Sequence, residues 1–65
     1  MERSVSYGEL ACLENLFDEQ LRDMKVALAD EEYRTEALND FIDQYIQGND
    51  NPEVRLLYPD RTIKL

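Results

Sequence analysis

Histidine is missing from this chain, cysteine occurs once and glycine twice. Without histidine no side chain is poised as a general base near neutral pH, and no Ser–His or Cys–His pair can form. The single cysteine, Cys12, closes no intrachain disulfide and completes no structural zinc site. With only Gly8 and Gly48 there is no glycine-rich phosphate loop. Carboxylates are abundant, but paired acid–base work needs a cleft that holds two of them at unequal pKa values, and a helical hairpin this small rarely encloses one. The stretch GNDNPE is rich in oxygen ligands, yet it lacks the calcium-loop spacing and the glutamate at the twelfth position. The expectation is a protein that is not an enzyme and holds neither metal nor cofactor.

A basic excess is lacking too. Fifteen acidic residues stand against seven basic ones, a net charge of −8, with a pI near 4.2. That balance disfavours direct contact with nucleic acid or with anionic membranes. The opening MERSVSYGEL has no apolar signal core, and no stretch approaches a membrane span. Together with one unpaired cysteine, these features lead to the expectation of a soluble cytoplasmic protein.

What is present is helical patterning. With 43% apolar residues the chain is too hydrophobic and too regular for disorder. Ser6 and Glu9 have capping-box spacing, in which the serine hydroxyl takes the Glu9 amide and the carboxylate reaches back. Val5 and Leu10 flank them as a hydrophobic staple. Leu10, Leu13, Phe17, Leu21, Met24 and Leu28 then recur at helical spacing within a stripe about 80° wide. This predicts a helix over 7–29. Cys12, Leu16 and Val26 point away from the stripe and suggest a second contact surface.

No glycine or proline separates this helix from the next, but Asp30 can cap a new one, with Glu31 and Glu32 favoured in its first turn. A helix over 31–47 follows. Its apolar residues Tyr33, Ala37, Leu38, Phe41, Ile42, Tyr45 and Ile46 cover more than half the wheel, too wide for one antiparallel neighbour. Gly48 suits the left-handed position that ends a helix.

The tail, 48–65, changes character. Asn51, Pro52 and Glu53 resemble the start of a helical turn that would carry Val54 to Tyr58. YPDR is a turn with proline at its second position. RTIKL alternates, with Ile63 and Leu65 on one side and Thr62 and Lys64 on the other. Leu56, Leu57, Tyr58, Ile63 and Leu65 are the candidate contacts of this tail. They either fold over the wide face of the second helix or offer a partner a strand.

Charge forms the remaining pattern. Glu32, Glu36 and Asp40 follow at i, i+4, as do Glu14 and Asp18, and each like-charged pair costs about 0.2–0.5 kcal/mol. With Asp43, these acids compose a candidate face for a basic partner.

The fold expected is all-α. One domain, 1–65, forms an antiparallel hairpin with a returning tail. A domain of this length buries only about 60% of its unfolded surface, and its core supplies only about 3–5 kcal/mol. Pairing into a four-helix homodimer is therefore expected, around the stripe from Leu10 to Leu28 together with Phe41, Ile42 and Tyr45. The functional expectation is a small regulator or inhibitor that docks on another protein, of a type suited to a phage or mobile element. The alternatives are a DNA-mimic inhibitor using the acidic face and an assembly subunit whose tail docks into a larger complex.

Overall fold

The computed structural model describes residues 4–57 and 59–64. Two helices, α1 (Tyr7–Asp23) and α2 (Glu31–Ile46), form the hairpin. A short strand, β1 (Val26–Leu28), lies between them in the chain. Beyond α2 a 3-10 turn at Pro59–Arg61 leads into β2 (Thr62–Lys64).

Local chemistry fixes most of the helix ends. Ser6 is extended, and its hydroxyl accepts from the Glu9 amide at 3.3 Å. The same hydroxyl donates to the Glu9 carboxylate at 3.2 Å, and the other Glu9 oxygen accepts from the Tyr45 hydroxyl at 2.7 Å. The cap thereby ties the start of α1 to the end of α2. Asp30 caps α2 by accepting from the Glu32 amide at 2.9 Å and the Tyr33 amide at 3.5 Å. Gly48, at φ 108°, closes α2. Its amide donates to the Tyr45 carbonyl at 3.0 Å and the Asn49 amide to the Gln44 carbonyl at 3.0 Å. This is the paired bonding of a Schellman end, which requires a left-handed residue there.

The end of α1 departs from the expected 7–29. Lys25 adopts φ 57° and stops the helix after Asp23. The chain then pairs as β1 with β2, antiparallel, with Val26 opposite Lys64, Ala27 opposite Ile63 and Leu28 opposite Thr62. The all-α expectation thus gains a two-stranded sheet. A left-handed conformation strains any residue with a Cβ by about 1–2 kcal/mol, part of which glycine gives back in chain entropy. Lys25→Gly is expected to stabilise the protein by about 0.5–1 kcal/mol, read as a higher urea midpoint.

The core sits between the helices and under β1. Leu13, Phe17 and Leu21 from α1 meet Val26, and Ala37 and Phe41 from α2, while Tyr33 of α2 is buried as well. Phe17 and Phe41 are fully buried, edge to face, with centroids 5.5 Å apart at 71°. Leu28, Ile42 and Tyr45 are half-buried against this cluster, and Leu10 is half-buried. Met24, expected in the stripe, is 44% exposed because it caps the helix instead of continuing it. Val26, expected off the stripe, is buried because it lies on a strand. Leu13, Phe17 and Leu21 of the stripe are therefore buried within a single chain.

Candidate functional site

The tail lies in the groove between the helices. Residues 52–56 form neither the expected helical turn nor a ladder strand. Two glutamines hold them by the backbone. Gln20 of α1 donates through Nε2 to the Pro52 carbonyl at 2.9 Å and accepts the Val54 amide at 2.8 Å. Gln44 of α2 donates to the Glu53 carbonyl at 2.7 Å and accepts the Glu53 amide at 3.1 Å. Successive residues thus turn to opposite glutamines, the alternation of an extended backbone. Pro52 is fully buried, and Val54 and Leu56 pack against the core. The helical-turn expectation fails because the polar groups of 52–54 find these carboxamides, not a helix of their own.

Three arginines fasten the assembly. Arg55 forks onto Asp40 with Nε at 2.9 Å and Nη2 at 2.6 Å. Arg61 reaches Oδ2 of the helix cap Asp30 at 2.5 Å. Arg34 stretches from α2 over the Phe17 ring, 5.5 Å from its centroid, and meets Asp18 of α1 at 2.6 Å. Hydrogen bonding from Arg55 holds the Asp40 carboxyl below its ordinary value of 3.8. A depressed folded-state pKa contributes stability that is present above the unfolded value and lost as pH falls through the folded one. Urea midpoints are accordingly expected to fall below about pH 4, and Asp40→Asn to make that decline shallower while lowering the midpoint at pH 7.

The acidic face expected from the sequence is thereby divided. Asp18 and Asp40 are bound by arginines of their own chain. Glu14 on α1 and Glu32, Glu36 and Asp43 on α2 are exposed. The last three fall within about 40° of one another on the helix, facing away from Tyr33, Ala37 and Phe41, and extend over about 16 Å. They leave three outward carboxylates on α2, with Asp43 within the electrostatic reach of Arg55.

The tail contacts divide as well. Leu56 packs inward, whereas Leu57 is 48% and Ile63 52% exposed. Opposite residues of an antiparallel pair share a face, so Ile63 sits on the face of Ala27 and Thr62 on that of Leu28, where Thr62 is half-buried while Ile63 and Lys64 stay exposed. Tyr58 and Leu65 lie outside the described residues. Cys12 is exposed and, with Gly8, Leu13, Leu16 and Tyr45, lines a shallow apolar groove of about 210 Å³.

No family model matches this chain, and no curated protein or solved structure matches it. The site must therefore be read from its own chemistry. Among the described residues, no helix is long and apolar enough to cross a membrane. What the surface offers is fixed charge and a groove that recognises backbone. Sequence reasoning missed Gln20 and Gln44, although a signal was there. Each glutamine follows a core phenylalanine by three, as FDEQ and FIDQ. That spacing sets a carboxamide at the margin of each apolar stripe.

Proposed function

We propose that this chain is a non-enzymatic interaction module that regulates or inhibits another protein by docking on its basic surface. Glu32, Glu36 and Asp43 are the contacting charges in this reading. The observation that carries it is how the arginines are used. Arg34, Arg55 and Arg61 neutralise Asp18, Asp40 and Asp30, while the outer row of α2 stays exposed. Charge so displayed steers encounter with an opposite surface and sets specificity more than affinity.

Duplex mimicry fits less well. It would draw on Glu14, Asp18 and Asp40 as well, two of which are already neutralised. Three charges over about 16 Å are sparse beside one per 1.7 Å of duplex. A protein surface with a few arginines or lysines matches the row better.

The test compares the wild type with a chain carrying Glu32→Gln, Glu36→Gln and Asp43→Asn, both immobilised and exposed to lysate at low and high salt. The reading expects a protein retained by the wild type at low salt and released at high salt. The neutralised chain should fail to retain it despite an unchanged helical spectrum. Retention that is indifferent to both salt and the three substitutions would contradict it.

A further inference from the structure

β1 touches both helices, whereas β2 is held mainly through β1. The sheet has two strands of three residues each, and a ribbon that short is marginal until a third strand joins it. Among the described residues no strand lies on the far side of β2, and such an edge offers main-chain groups to an incoming chain. Ile63 is exposed at its centre, on the sheet face it shares with Ala27. Charge gathers at one end of this edge. Arg34, Arg55 and Arg61 are engaged with acids of the chain, while Arg22, Lys25 and Lys64 are exposed and enter no ion pair among the described residues. Lys64 lies opposite Val26, Lys25 directly precedes Val26, and the Lys25 amide donates to the Arg22 carbonyl at 3.1 Å. These cations therefore gather at one end of the sheet, with Asp23 as the acid among them, in a chain whose net charge is −8.

We propose that β2 is a docking edge that takes an acidic extended segment of another protein as a third strand. An aliphatic side chain of that segment sits beside Ile63, and the carboxylate next to it in sequence meets Lys64, with Lys25 and Arg22 beyond. Main-chain bonds supply affinity for any extended segment, and the cations at the sheet's end select an acidic one. A second copy of this chain suits the edge less well, since its β2 brings the same lysine and each copy carries −8. The edge is separate from the Glu32, Glu36 and Asp43 carboxylates, so either surface can fail without the other.

The experiment titrates the isotope-labelled full chain with a capped peptide of alternating glutamate and valine, followed by NMR. Saturable shifts centred on the Ile63 and Lys64 amides are expected, with slower amide exchange along β2. Replacing the peptide's glutamates by lysines should weaken binding about tenfold or more, and a proline at its centre should abolish it, because proline cannot complete the ladder. A chain carrying Lys25→Glu and Lys64→Glu should reverse the preference and take the lysine peptide more tightly. If that chain does not fold, the wild-type comparison of the three peptides decides alone. No saturable shift in β2 at millimolar acidic peptide would overturn the proposal, as would binding indifferent to the peptide's charge and to its proline. Dimerisation of the chain alone that slows β2 amide exchange would also overturn it, by assigning the edge to a second copy.

Discussion

Phe41→Ala is expected to leave the chain unfolded at 25 °C. Phe41 is fully buried, packs edge to face on Phe17, and sits where α1, α2 and β1 converge. Truncating a buried phenylalanine to alanine costs about 3–5 kcal/mol, because the lost transfer free energy is joined by a cavity the surroundings only partly fill. The aromatic pair adds about 0.5–1.5 kcal/mol beyond buried area. A core of this size supplies about 3–5 kcal/mol in all, with no disulfide in reserve. One substitution therefore takes the whole margin. Circular dichroism of the variant should show little helix and no cooperative urea transition. A folded Phe41→Ala chain with a sharp transition would mean that stability comes from something outside this core, such as a second copy.

Removing residues 52–65 is expected to have an effect of similar size for a different reason. The deletion strips β1 of its partner strand β2 and takes Pro52, Val54 and Leu56 from the core margin. A fully buried valine or leucine contributes about 1.5–3 kcal/mol, and a partly buried one proportionately less. Gln20 and Gln44 lose their bonds to the backbone of 52–54, each worth about 0.5–1.5 kcal/mol net. The truncated chain should lose its cooperative transition and expose enough apolar surface to bind a hydrophobic dye. If residues 1–51 unfold as sharply as the full chain, the tail is an appendage and not part of the fold.

How far the sequence disclosed this architecture depends on whether each signal was local. Ser6, Asp30 and Gly48 announce their helix ends through capping chemistry that acts within a few residues, and the structure places all three in those roles. The breadth of apolar residues on α2 correctly called for a third covering element. Two features were out of reach for physical reasons. Lys25 ends α1 in a conformation normally given to glycine, so no breaker marks the spot. The strand at Val26–Leu28 exists because residues far along the chain pair with it, and tertiary pairing overrides a helical periodicity that Met24 and Leu28 happened to continue. Leu28 nonetheless reaches the core, since the strand runs over the same face.

The candidate site was legible in part. Five of the six acids were visible as ladders, but their division into paired and displayed members depends on where Arg34 and Arg55 reach, which spacing along the chain does not reveal. The outward turn of Ile63 follows from strand register, which a lone alternating stretch leaves open.

The central claim is that residues 52–54 are seated between Gln20 and Gln44 in the folded chain. Amide hydrogen exchange of the full-length protein tests it directly, through the Glu53 and Val54 amides whose acceptors are the two glutamine side chains. Protection comparable to that of the Phe17 amide within α1 is the result expected. Exchange of Glu53 and Val54 at the rate of an unfolded chain, with Phe17 still protected, would show a folded hairpin with an empty groove and contradict the account.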